Sequence, residues 1–203
     1  AEFKKHFPGD FIAEYIGQTR TWFYYMHAMA VLLFDNISFR NVVTTGNILA
    51  KDGSKMSKSK GNYTDPMVNL DLFGADALRY HLVSSVIMRA EDVRFVDDEV
   101  RQIHNQVLNI LWNSFKFYEM YSDGEYSNNP YSSENVLDKW ILARLNELNR
   151  SITEGMDAYD TVRATRAIRD FISDFSTWYI RRSRDRFKSD DLDDKAFTIS
   201  TTR

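Results

Sequence analysis

The 203-residue sequence contains no cysteine, which excludes disulfides, thiolate zinc sites and a cysteine nucleophile and fits a reducing compartment. It also lacks any apolar run near the ~18 residues needed to cross a bilayer. Residues Ala1 to Asp10 mix acidic, basic and proline residues where a signal peptide needs an apolar stretch. The expectation is a cytoplasmic protein with no membrane partner. An excess of one charge is missing too: 26 Lys and Arg stand against 29 Asp and Glu, a net charge of -3. Such a chain does not coat nucleic acid by bulk charge, so any RNA contact must use a local basic face. What is present is 43% hydrophobic and 14% aromatic residues, enough for a buried core in one large domain or two modest ones.

The first half mixes patterns. Between Phe11 and Phe34 apolar residues fall at Ile12, Tyr15, Ile16, Phe23, Met26, Ala30 and Leu33 with no proline among them, a spacing that predicts one helix. Asn41 to Thr45 holds four β-branched residues before Gly46, which predicts a short strand. Asp52 and Gly53 mark a turn, and Ser54 to Gly61 offers only Met56 for burial, so it reads as an exposed loop. Asp65 can cap a helix whose first residue is Pro66, with an interruption at Gly74 and a resumption from Ala75 to Val86.

From Asp97 onward the period is helical. Val100, Ile103, Val107, Ile110 or Leu111, Phe115 and Tyr118 form one stripe, Val136, Trp140, Leu145, Leu148 and Ile152 a second, and Val162, Ile168, Phe171, Ile172, Phe175 and Tyr179 a third. Ser122 to Glu134 reads as a surface connection. The expected fold class is an α/β fragment over residues 1–96, then an all-α helical bundle over 97–203. The boundary falls near Val93 to Asp98, where Asp97, Asp98 and Glu99 suit a helix N-terminus. Asp190 to Arg203 is expected to complete nothing, as though the chain were cut there.

The chemistry concentrates in Lys55, Met56, Ser57, Lys58 and Ser59, followed by Lys60, Gly61 and Asn62. Two lysines three apart on a mobile loop can bring ammonium groups to a polyphosphate, and small residues keep the backbone open to it. The spacing does not fit a P-loop. Lysines carried on a loop suit a reaction that expels pyrophosphate, because fixed cations stabilise charge growing on the leaving oxygens.

This five-residue string resembles the signature of class I aminoacyl-tRNA synthetases, and Gly61, Asn62, Asp65, Pro66 and Gly74 to Arg79 are similar to the residues that come after it in that family. The resemblance implies the end of a Rossmann-like catalytic domain carrying the signature loop, with ATP and Mg2+ as cofactors and no metal site within this chain. It implies catalytic roles for Lys55 and Lys58, with Lys58, Met56, Ser57 and Ser59 at the nucleotide. Phe7 to Phe23 is most similar to the isoleucine-specific members, through Glu14, Gln18, Arg20, Trp22 and Phe23. Glu14, Gln18 and Trp22 are four apart, one face of the expected helix, and the resemblance makes them the aminoacyl-adenylate contacts. Two positions depart: Gly17 stands where the family commonly has aspartate, and Thr21 where it has glycine. The second family signature, a histidine pair, is not found around His6, His27, His81 or His104. The implied chain is an internal part of a monomeric, isoleucine-specific enzyme, inactive alone. The alternatives are valine- or leucine-specific relatives, or a non-catalytic helical RNA-binding module.

Between Arg163 and Lys188 eight basic residues stand against Asp170, Asp174 and Asp185. Arg163, Arg166 and Arg169 step by three along a helix, while Arg181 and Arg182 come directly behind Trp178 and Tyr179. Cations for phosphates beside rings for bases make this the candidate tRNA face.

Overall fold

A computed structural model describes residues 2–122, 124 and 128–203. Asp123 and residues 125–127 of the expected surface connection lie outside them. After a single-turn helix α1 (Phe3–His6), strand β1 (Gly9–Tyr15) runs parallel to β2 (Phe39–Thr45), with Ile12 opposite Val42 and Glu14 opposite Thr44. Helix α2 (Trp22–Phe34) makes the crossover a parallel pair requires. The helix expected from Phe11 to Phe34 is therefore two elements, a strand and a helix, joined by a 3-10 turn over Ile16–Arg20. Apolar residues at 12, 15 and 16 have helical spacing, but the backbone partners offered by β2 override it and make residues 9–15 a strand. Phe23 and Ala30 are the buried side of α2, with the Phe23 ring 5.9 Å from that of Phe39. Tyr24, Tyr25, Leu32 and Leu33 on α2 are exposed.

A second parallel pair, β3 (Ile48–Leu49) with β4 (Val93–Arg94), encloses the signature loop and helix α3 (Pro66–Val83). Asp65 caps α3 by accepting from the Met67 N–H at 2.9 Å, and Gly74, at φ 81 and ψ 161, kinks it. The helical half comprises α4 (Asp97–Ile103), α5 (Asn109–Tyr121), α6 (Val136–Asp157), α7 (Thr161–Ser173), α8 (Arg181–Phe187) and α9 (Leu192–Thr202). Wider π-type stretches, His104–Leu108 and Asp174–Ile180, join α4 to α5 and α7 to α8. Ala77, Val100, Ile103, Val107 and Ile172 form one core cluster, which ties α3 to the bundle, and Ile141, Tyr179 and Ile180 form another. Leu111, Phe115 and Val136, expected in the core stripes, are exposed. Val136 is the first residue of α6 and is exposed, although Leu137 beside it packs against the core and Ile141 and Leu142 are buried.

The last residues are also structured, contrary to expectation. Asp191 caps α9 through the Asp193 and Asp194 N–H groups, and Ile199 and Thr198 are buried. They help enclose a buried polar network. Asp138, fully buried, accepts from Arg186 at 2.7 and 2.9 Å, from Ser133 Oγ at 2.6 Å and from Tyr179 Oη at 3.0 Å. Arg186 turns its remaining donors to Asp194. Burial alone raises the Asp138 carboxyl, yet the bonds from Arg186 and Ser133 outweigh it and hold it below its ordinary range. Arg186, one of the eight basic residues of the candidate tRNA face, is therefore a structural cation. Its acidic partner lies on the apolar side of α6, one turn before Ile141 and Leu142, which is the sign in the sequence of a paired charge.

These contacts set two stability outcomes. Arg186→Met leaves a buried carboxylate uncompensated and is expected to cost ~3–5 kcal/mol in urea unfolding, whereas Arg163→Ala, which breaks an exposed pair with Glu154, costs under ~1 kcal/mol. His81, buried against the edge of the Phe95 ring with Nε2 3.7 Å from Glu99, is pushed below its ordinary 6.5 by burial, which Glu99 only partly opposes. The unfolded chain then takes up the proton first, so stability is greatest above 6.5 and falls as pH drops below it. Replacing His81 by Phe should flatten the unfolding midpoint between pH 7 and pH 5 on the same urea curves.

Candidate active site

The signature loop rises from β3 through a tight turn. Ala50 N–H donates to the Ser54 carbonyl at 2.9 Å and Gly53 N–H to that of Ala50 at 2.8 Å, while Leu49 and Lys55 form an antiparallel bridge. Gly53 takes φ 84, a conformation that side chains disfavour. Ser54 donates its N–H to Asp52 at 2.8 Å, and the bonds from Ser54 hold that carboxyl below its ordinary range. Ser57 is extended, Lys58–Lys60 form a 3-10 turn, and Gly61 ends it at φ 58. Lys51, Lys55, Lys58 and Lys60 are all exposed. No described carboxylate lies within 4.0 Å of any of the four ammonium groups. Four exposed cations on one loop, none in a salt bridge with a described carboxylate, are a donor set for phosphate oxygens. Behind the loop a cavity of about 370 Å³ is lined by Met56, Asn62, Tyr63, Phe95 and Asp97 among others.

Glu14, Gln18 and Trp22 do not share a helix face. Glu14 sits near the end of β1, exposed, its carboxylate accepting from the Tyr15 N–H at 3.2 Å. Gln18 lies in the 3-10 turn, where its Oε1 accepts from the Trp22 N–H at 3.2 Å and from the Thr21 hydroxyl. Trp22 opens α2 with its ring half exposed. Glu14 sits at the carboxyl end of a parallel strand, the edge at which open α/β sheets take ligands, and Gln18 and Trp22 come after it in the turn and at the start of α2. The two departures also have physical form. A Cβ at Gly17 would meet the Tyr15 ring at 2.3 Å, so an aspartate there requires Tyr15 to swing away. Thr21 supplies the hydroxyl that ties Gln18, which a glycine could not.

In the helical half the candidate arginines part company. Arg163 is paired with Glu154, and Arg169 donates to Gln106. Arg166 lines a cavity of about 260 Å³ between α3, α4 and α7 with His81, Ser84, Glu99 and Arg169. Arg181 and Arg182 are exposed on α8, and the Arg182 guanidinium stacks 3.9 Å above the half-exposed Trp178 ring. His104 Nδ1 lies 3.0 Å from the Phe73 carbonyl, a packing bond. Among the described residues no three His, Asp or Glu side chains are grouped to hold a metal, and no helix is long and apolar enough to cross a membrane. The residue whose part the sequence reading missed is Asn62, whose carboxamide bonds to Ser54, Lys55 and Ser57. Its only signal was an asparagine directly after the glycine that closes a lysine and serine loop.

Residues 1–94 match the family described as tRNA synthetases class I (I, L, M and V), and residues 138–203 the anticodon-binding domain of tRNA ligase. The isoleucine-tRNA ligase of Chlamydia trachomatis serovar L2 is 44% identical over 200 residues, 96% of this chain and 19% of that protein. That of Clostridium tetani is 42% identical over 194 residues, 94% of this chain and 19% of the relative. The chain thus spans about a fifth of the length of these relatives. Among solved structures, Mycobacterium tuberculosis methionyl-tRNA synthetase bound by methionyl-adenylate superposes with a TM-score of 0.74 at 22% identity, over 98% of this chain and 39% of that one. Agrobacterium radiobacter K84 LeuRS, in a ternary complex with tRNA and LeuAMS, gives 0.67 at 20% identity, over 96% and 25%. These two likenesses carry the fold: a class I catalytic-domain end that continues into a helical bundle. With the signature loop folded as one anchored unit, and isoleucine-tRNA ligases similar along nearly its whole length, the chain belongs to the class I aminoacyl-tRNA synthetases.

Proposed function

We propose that this chain forms part of an isoleucine-tRNA ligase, with the end of the catalytic domain over residues 1–96 and the start of the anticodon-binding bundle over 97–203. The whole enzyme activates isoleucine with ATP, releases pyrophosphate and passes the aminoacyl group to tRNA; the 203 residues alone are inactive. The observation that carries the reading is the loop with four exposed lysines, none of them in a salt bridge with a described carboxylate. Lys55 and Lys58 act on the phosphates, stabilising the charge that grows on departing pyrophosphate. Met56 lines the cavity behind them, and Ser57 and Ser59, whose hydroxyls are 2.9 Å apart, face the nucleotide from the same turn. Magnesium accompanies the nucleotide, and no described residue is assigned to it.

Glu14, Gln18 and Trp22 hold the aminoacyl-adenylate at the end of β1. A carboxylate pairs the α-ammonium group, which fixes orientation. On the helical half, Trp178 with Arg182 stacked on it offers an aromatic face and a cation to an unpaired base. Arg181 beside it, with Arg166 and Arg169 on α7, serves phosphates, and Arg163 contributes once its bond to Glu154 is exchanged. The enzyme is cytoplasmic and monomeric.

Three results test this in the complete gene product. Pyrophosphate exchange should be fastest with isoleucine, and a preference for valine or leucine would reassign the enzyme to a sister specificity. Lys58→Ala should slow that exchange by roughly a hundredfold or more, and an unchanged rate removes the lysine from the mechanism. Trp178→Ala should weaken tRNA binding by ~1–3 kcal/mol at fixed salt, measured by filter binding, while leaving pyrophosphate exchange unaltered.

A further inference from the structure

We propose that Asn62 is a positioning residue of the signature loop: without touching the nucleotide, its carboxamide sets where Lys55 and Lys58 stand relative to each other. The proposal deepens the assignment of the loop to pyrophosphate release and rests on it. From Ser54 to Gly61 the loop has only Met56 to bury, and holding each residue of such a segment in one conformation costs ~1–2 kcal/mol of entropy. Its own backbone contributes the bridge between Leu49 and Lys55, the turn at Gly53 and the short 3-10 turn. Asn62 supplies the rest. Its Oδ1 accepts from the Ser57 N–H at 2.9 Å, and its Nδ2 donates to Ser54 Oγ at 2.9 Å and to the Lys55 carbonyl at 3.1 Å.

Both amide donors and the carbonyl oxygen are therefore in use. The orientation of the amide is dictated by its partners, since the Ser57 N–H needs an acceptor and the Lys55 carbonyl needs a donor. The bonds reach back five, seven and eight residues, doing for the loop what a neighbouring strand does for an edge. Two of them clasp the backbone on either side of Met56. Lys58 comes directly after Ser57 as the first residue of the 3-10 turn. Lys55 and Lys58 thus leave from two points of a ring closed by one side chain. Aspartate would keep the acceptor but set oxygen against oxygen at the Lys55 carbonyl, and alanine would keep nothing. Cations placed before the phosphates arrive need no ordering at the moment of reaction.

The experiment uses the complete gene product and reads the loop in two ways. Limited trypsin digestion needs no catalysis: cleavage after Lys55 and Lys58 is expected to accelerate roughly tenfold in Asn62→Ala and Asn62→Asp, with sites outside the loop cut at the wild-type rate. In pyrophosphate exchange, Asn62→Ala should lower kcat about tenfold with the KM for isoleucine within about twofold. Because Asn62 acts through Lys58, the same change in a Lys58→Ala background should cost less than about twofold more. Wild-type cleavage at the two lysines overturns the proposal, and so does a loss of exchange that multiplies in full with that of Lys58→Ala. If Asn62→Ala does not fold, Ser54→Ala, which removes one of the three bonds, decides: cleavage at the same lysines about two- to fivefold faster supports the staple, and the wild-type rate overturns it. A wild-type enzyme that exchanges no pyrophosphate would refute the activity and leave the trypsin result to judge Asn62.

Discussion

Both carboxylate oxygens of Asp97 are spent on residues far back in the chain. Oδ2 accepts from the Thr64 hydroxyl at 2.7 Å, just beyond the signature loop, and Oδ1 from the buried Asn69 amide on α3 at 2.6 Å. Asp97 is the first residue of α4, where the helix dipole favours a negative charge. The near leg of the loop is held a few residues away, by Val93 N–H to the Asn47 carbonyl and Phe95 N–H to that of Leu49, each 2.9 Å. Both legs therefore rest on residues 93–97, the segment through which the catalytic part passes into the helices. A loop footed there has both legs anchored in one segment, from which its lysines project.

The elements legible in the sequence were those with chemical punctuation. Asp65 with Pro66 marked the start of α3, Gly74 its kink, the β-branched run its strand β2, and the acidic trio the start of α4. Where punctuation was lacking, the period misled. Ile12, Tyr15 and Ile16 have the spacing of a helix, and the pairing with residues 39–45, remote in sequence, overrides it to make residues 9–15 a strand. The single helix face expected for Glu14, Gln18 and Trp22 therefore does not exist: Glu14 lies near the end of a strand, and the Gln18 amide, in the turn that comes next, caps the adjoining helix through the Trp22 N–H.

The basic stretch shows why a count of charges is a weak guide to a surface. Eight cations in sequence become three populations in space. Arg186 is largely buried against Asp138 and Asp194; Arg163 and Arg169 are engaged by neighbouring segments, with Arg166 lining a cavity beside them; and Arg181, Arg182, Arg184 and Lys188 stand exposed on and just after α8. Distinguishing them requires knowing which helix faces which. That is a property of tertiary packing, not of spacing.

The wide turn over Asp174–Ile180 keeps the rings of Phe171, Phe175 and Tyr179 in register, 5.9 and 6.0 Å apart at every fourth residue, while Trp178 points outward and Tyr179 inward. Removing one residue from it would turn everything downstream by ~100° about the helix axis. Arg186 would lose its aim at Asp138, and Arg182 would rotate off the indole. The stretch therefore fixes chain length as well as composition: its residue count sets the direction in which every side chain after it points.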